Sequence, residues 1–131
     1  MTTHILRVDC PDQAGLIHTV TGVLLRHRLN IIANSEFVDQ ETRRFFMRTE
    51  FGGDVDASAI VQELEAVLPP EAYIQLTRQR KKDIVILATK ESHCLGDLLI
   101  RGYSNALNVN IRAVISNYNH LKELTEKFGI A

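Results

Sequence analysis

NIIANSEFVDQETRRFFMRTEF, residues 30–51, reads as two strands around a short turn. Residues 30–38 make the first strand, and Asp39-Gln40-Glu41-Thr42 has turn composition. Beyond the turn Phe45, Met47, Thr49 and Phe51 alternate with Phe46, Arg48 and Glu50. A period of two puts successive side chains on opposite faces of a sheet, so the stretch predicts an antiparallel hairpin.

A helix is expected on either side of that hairpin. Upstream, residues 5–10 read as a strand with Leu6, Val8 and Cys10 on one face. The turn Pro11-Asp12-Gln13-Ala14-Gly15 leads into Leu16, Ile17, Val20, Val23, Leu24 and His27, whose spacing is helical. Gly22 weakens that helix by about 1 kcal/mol relative to Ala. Downstream, Gly52-Gly53 ends the hairpin and Asp56 or Ser58 can cap a second helix carrying Ile60, Val61, Leu64, Val67 and Leu68. Pro69-Pro70 stops it, and residues 72–77 close the unit as a short strand. The order βαββαβ predicts a ferredoxin-like α+β unit, one antiparallel sheet with two helices on one face.

The pattern then changes. Arg78-Gln79-Arg80-Lys81-Lys82 reads as a solvated linker, with no aromatic or second basic cluster to support nucleic-acid binding. Ile84-Val85-Ile86-Leu87-Ala88 is a continuous apolar run, as in a strand buried on both faces of a parallel sheet. A helix over residues 94–101, a second buried strand over 111–115 and a helix bearing Leu121, Leu124 and Phe128 follow. This is β-α-β-α, the start of a doubly wound, Rossmann-type sheet. The expected domains are residues 1–79 and 83–131.

Two groups of motifs carry a family resemblance. Cys10-Pro11-Asp12-Gln13-Ala14-Gly15-Leu16-Ile17 resembles the first strand-to-helix turn of ACT domains, and Asn30-Ile31 falls where they begin their second strand. Glu36-Phe37-Val38-Asp39 with Arg44-Phe45-Phe46-Met47-Arg48-Thr49-Glu50 is more specific. So is Thr89-Lys90-Glu91-Ser92-His93-Cys94-Leu95-Gly96-Asp97-Leu98-Leu99, followed by Ala113-Val114-Ile115-Ser116-Asn117. In that order, along the whole chain, they resemble the formyltetrahydrofolate deformylases. The resemblance implies an ACT regulatory domain before a formyltransferase-like hydrolase domain. It implies hydrolysis of 10-formyltetrahydrofolate to tetrahydrofolate and formate, in one-carbon supply for purine biosynthesis. No cofactor is implied.

The family's catalytic Asn, His and Asp lie late in the second domain and have no counterpart in these residues, so His93, Asp97, Asn117 and His120 are not promoted in their place. The chain is expected to be an amino-terminal portion, with an incomplete hydrolase domain and no turnover of its own. The alternative is a non-catalytic ACT-type protein for small-molecule binding and oligomerisation. Formyltransferases with phosphorylated acceptors use a Gly-rich, Ser-Asn loop; here residues 90–94 lack glycine and Glu91 would repel phosphate, which fits water as acceptor.

The β1–α1 turn, between the first strand and first helix, carries the binding expectation. Gly15 permits close backbone approach, and the helix start offers unpaired N–H groups to a carboxylate. Asp12, Gly15, Leu16 and Asn30 are read as an amino-acid effector site between two ACT subunits, the plain alternative being a tight turn with a capping Asp. Lys90, His93, Cys94 and Asn117 are assigned to the active-site periphery. For Cys94 a small buried cap is preferred to a nucleophile, and His93 is also readable as an ordinary loop histidine. His18 and His27 are read as exposed or partly buried helix residues. The outer face of the hairpin's second strand is open to a partner subunit, since ACT sheets often pair side by side, and a homo-oligomer is expected.

Composition bounds the rest. Of 131 residues 45% are apolar and 24% charged, with a net charge of −1, which offers no electrostatic case for nucleic acid or an anionic membrane. No apolar run approaches the roughly 20 residues of a membrane span, and MTTHILRVDC has no signal-peptide pattern. Cys10 and Cys94 form neither a disulfide framework nor a metal spacing, and a reducing cytoplasm is the expected compartment.

Overall fold

Leu6, Val8 and Cys10 alternate with Arg7 and Asp9 along β1 (Thr3–Pro11), and the apolar set is buried. The computed structural model describes residues 2–131. It divides into two compact units, Met1–Gln79 and Arg80–Ala131.

In the first unit β1 is followed by α1 (Leu16–Arg26), β2 (Asn30–Asp39), β3 (Arg44–Gly52), α2 (Ala57–Val67) and β4 (Tyr73–Arg78). The strands form one antiparallel sheet in the order β2-β3-β1-β4. Phe45, Met47 and Phe51 of β3 join the buried face of β1, and Val20, Val23 and Leu24 of α1 with Ile60 and Leu64 of α2 close over them. Burying side chains of this size contributes about 1.5–3 kcal/mol each. Thr49 sits at a core position of β3, and its hydroxyl donates to Asn34 Oδ1 at 2.6 Å. That bond removes the cost of a buried, unpaired oxygen.

The helix ends have local causes. Gly15 (φ 84°, ψ 8°) takes the N-cap position of α1. At the other end Arg28 N–H donates to Leu25 O and Leu29 N–H to Leu24 O, with Arg28 at φ 58°. This is the Schellman arrangement, with an arginine where glycine is commoner and Leu29 buried beside the last turn. For α2 the cap is Asp56 rather than Ser58: its carboxylate accepts from Ala59 N–H at 3.2 Å. Leu68, extended at ψ 162° before Pro69, ends the helix as a residue preceding proline must.

The second unit contains β5 (Lys82–Ala88), α3 (Ser92–Tyr103), β6 (Val109–Ser116) and α4 (Lys122–Lys127). β5 and β6 are parallel, joined through α3. Ile86, Leu95, Leu99 and Leu121 form its core. A Cβ on Gly102 would lie 2.7 Å from Ile111 Cδ1, so that glycine admits close approach of α3 to β6.

Three expectations are corrected. The two apolar strands are covered on one face only: Ile86 is buried, but Leu87 is 79% exposed and Val85 and Ile115 are exposed too. A continuous apolar run marks a strand that could be covered twice, and within this unit α3 and α4 supply one layer. The basic linker shrinks to residues 79–81, because Arg78 ends β4 and Lys82 begins β5. Lys81 is not freely solvated there, since its Nζ lies 2.8 Å from Asn105 Oδ1. Cys94 is exposed rather than a buried cap, and Glu91 holds the N-cap position of α3.

Candidate functional site

Residues 12–15 turn the chain from β1 into α1. Asp12 N–H donates to Arg43 O at 2.9 Å, which ties the turn to the start of β3. Asp12 and Gly15 are exposed, and among the described residues no atom beyond its immediate chain neighbours lies within 4 Å of the Cβ position of Gly15, so open space faces the backbone. Among the described residues no side chain caps α1. The N–H groups of its first turn, beginning at Leu16, therefore remain available to an anion, and the helix dipole favours one there. The Leu16 side chain is buried in the core, so this residue can act on a ligand only through its backbone.

Asn30 does not join Asp12 within one chain. It is exposed at the start of β2, in the row of Gly52 and Thr3, whereas Pro11 lies opposite Arg44 at the other end of the sheet. Eight steps along β1 separate those rows, about 26 Å at the usual strand rise. Sequence reasoning also missed what surrounds the turn and the edge strand. The Arg44 guanidinium pairs with Asp9 at 2.6 Å. Asn34 links Thr49 to Glu36, its Nδ2 donating to Glu36 Oε2 at 2.8 Å. A threonine in an otherwise apolar alternation was the available signal for that chain of bonds. The Cys10 thiol is pushed up by burial, against a lowering effect of Arg44, which keeps it protonated and inert in the core.

In the second unit the assigned residues cluster beyond the carboxyl ends of the parallel strands. Lys90 follows β5, His93 and Cys94 lie in the first turn of α3, and Asn117 follows β6; all four are exposed. Lys90 Nζ sits 4.5 Å from the centre of the Tyr118 ring, a cation–π contact. Ser116 Oγ donates to Thr89 O and accepts from Tyr118 N–H, fastening the two loops together. Leu87, Thr89, Ile115 and Asn117 help to line a cavity of about 330 Å³ there. Ligands of open α/β sheets bind at this end of the strands. Among the described residues no group of His, Cys, Asp and Glu could hold a metal ion, and no helix is long and apolar enough to cross a membrane.

Residues 4–69 match the ACT domain. The chain belongs to the ACT domain family. Beyond the ACT unit the likeness continues through the second. Formyltetrahydrofolate deformylase of Haemophilus influenzae is 49% identical over 126 residues, 96% of this chain and 45% of that protein. The namesake from Escherichia coli K12 is 47% identical over the same coverage. Among solved structures, a formyltetrahydrofolate deformylase from Pseudomonas syringae superposes with a TM-score of 0.72 at 33% identity, over 100% of this chain and 46% of that one. The chain thus spans a little under half the length of the relatives it matches, and its α+β fold is theirs.

Proposed function

We propose that this chain is the part of a formyltetrahydrofolate deformylase that carries regulation and opens the hydrolase fold. The whole enzyme would hydrolyse 10-formyltetrahydrofolate with water, giving tetrahydrofolate and formate. One observation carries this reading: identity of 47–49% runs through both units, not through the ACT unit alone. An ACT domain by itself serves many regulators. Here it is followed by a parallel βαβ unit whose Lys90, His93, Cys94 and Asn117 gather at the strand ends, where a folate could be met.

For the ACT unit the proposed role is to hold an amino acid between two copies. The carboxylate would take the free N–H groups at the start of α1, and Asp12 would receive the ammonium group. Asn30 would come from the second copy, because within one chain it lies at the far end of the sheet.

The catalytic reading is tested by exchange. A chimaera in which these 131 residues replace the matching segment of the E. coli relative is expected to release formate from 10-formyltetrahydrofolate. The 131-residue polypeptide alone is expected to show none, since the catalytic Asn, His and Asp that the resemblance implies have no counterpart in it. A folded chimaera without turnover would refute the proposal. Turnover by the polypeptide alone would refute its division of labour.

A further inference from the structure

The face of the first sheet opposite the helices is crossed by side chains in registered rows. Phe37, Phe46, Asp9 and Tyr73 make one row; Ser35, Arg48, Arg7 and Gln75 make the next. The Phe37 and Phe46 rings stack with centroids 6.3 Å apart, yet Phe37 is 65% and Tyr73 60% exposed. Arg7 and Arg48 stand directly opposite each other on antiparallel strands, where like charges repel. Among the described residues neither has an ion-pair partner.

The acidic groups nearby do not resolve that repulsion. Asp9 is already engaged by Arg44 at 2.6 Å. Glu36 lies on the helix side of β2, bonded to Asn34. Asp39, opposite Arg44, accepts from Glu41 N–H and the Thr42 hydroxyl within its own turn, and Glu50 lies opposite Ile5 in the row beyond the arginines; among the described residues neither forms an ion pair with Arg7 or Arg48. The aromatic row and the arginine row together line a cavity of about 380 Å³. Such a volume is ample for one ring and a short acidic arm.

We propose that this face binds a free aromatic carboxylic acid. Its ring lies against Phe37, Phe46 and Tyr73, and its carboxylate sits between Arg7 and Arg48. The rows are two residues apart along each strand, about 6.6–6.8 Å, a separation that a ring and a carboxylate joined by a short chain can bridge with flexible side chains. The carboxylate turns a repelling pair into two charge-assisted hydrogen-bonding partners, and the guanidinium fork matches its geometry. The ring covers apolar surface that water now wets. The site is on the opposite face from α1 and does not depend on the deformylase reading or on the β1–α1 turn.

The test uses the full chain and 3-phenylpropanoate, followed by amide chemical shifts and calorimetry. Saturable binding is expected, with shifts along both rows and none at Gly15 or Asn30. Arg48→Gln should weaken it about tenfold, the loss of one charge-assisted contact, and Phe37→Ser should weaken it comparably. The uncharged 3-phenylpropanamide and the ringless acetate should each bind at least about tenfold more weakly; this comparison decides the matter even where a substitution unfolds the chain. Equal binding of acid and amide would overturn the proposal. So would the absence of saturation at millimolar acid, shifts confined to the β1–α1 turn, or a second copy covering these rows in solution.

Discussion

Glu63 shows how one side chain on α2 is held by its neighbours on α1. Its carboxylate accepts from Arg26 Nε at 2.5 Å and lies 2.8 Å from His27 Nε2. The Arg26 bond first, and then the His27 bond, holds the carboxyl below its ordinary value. Folding therefore releases protons in the window between the depressed folded value and the ordinary one. The resulting stabilisation is present above the ordinary value and disappears as pH falls through the folded one. Glu63→Gln is expected to flatten the acid limb of stability, measured as the urea midpoint between about pH 5 and pH 3. The effect should be small, because the group is about one-third exposed and water reaches and screens it. Superimposable acid limbs for the two proteins would refute the coupling. Nothing in the local sequence announces this pair, since 36 residues separate His27 from Glu63. The two helices must first pack before the charges meet.

At the level of elements, legibility followed whether a pattern was closed locally. The hairpin could be read from its alternation because both strands and the turn lie within residues 30–51. Asp56 as a cap and the stop at Leu68 were similarly local. The one-sided cover of β5 and β6 was not legible, because an apolar run states a capacity for burial, not which layer supplies it. This difference predicts unequal local stability. β1 has a partner strand on each side and β3 likewise. β6 pairs as a strand with β5 alone, although Val114 N–H also donates to Ala131 O at 2.9 Å. Amides with few buried apolar neighbours open at lower free energy than those of a central ladder. Hydrogen exchange should therefore protect residues 6–10 and 44–51 more than 111–115, with Val114 the slowest of the latter group. Equal protection of both regions in a monomer would mean that the second unit is as stable as the first, and the ranking would fail.

At the scale of the whole molecule the question is what meets the free edge of β2. Its ten residues face water on the side away from β3, with Ile31, Ile32 and Phe37 exposed and a register shift at Ile32. A long edge strand without proline or lysine is an open template for another strand. The most economical occupant is the same edge of a second copy. Two β2 strands paired antiparallel would carry Asn30 of each copy to the end of the sheet where the other copy's Asp12 and Gly15 lie. The sequence reading set the site between two subunits without saying which copy would supply Asn30, because strand register is set by distant pairing. Sedimentation is expected to show a concentration-dependent dimer, and Ile32→Lys to shift it towards monomer by placing a charge on the edge. Titrating the wild type with a panel of amino acids by calorimetry should find a ligand that strengthens the dimer, since a ligand bound across two copies stabilises their association by mass action. The same substitution should lower its affinity, although residue 32 is not one of the residues assigned to the site. A wild type that stays monomeric at high micromolar concentration, or an amino acid that binds Ile32→Lys monomers as tightly as wild type, would place the effector site within a single chain and remove the reason for assigning Asn30 to it.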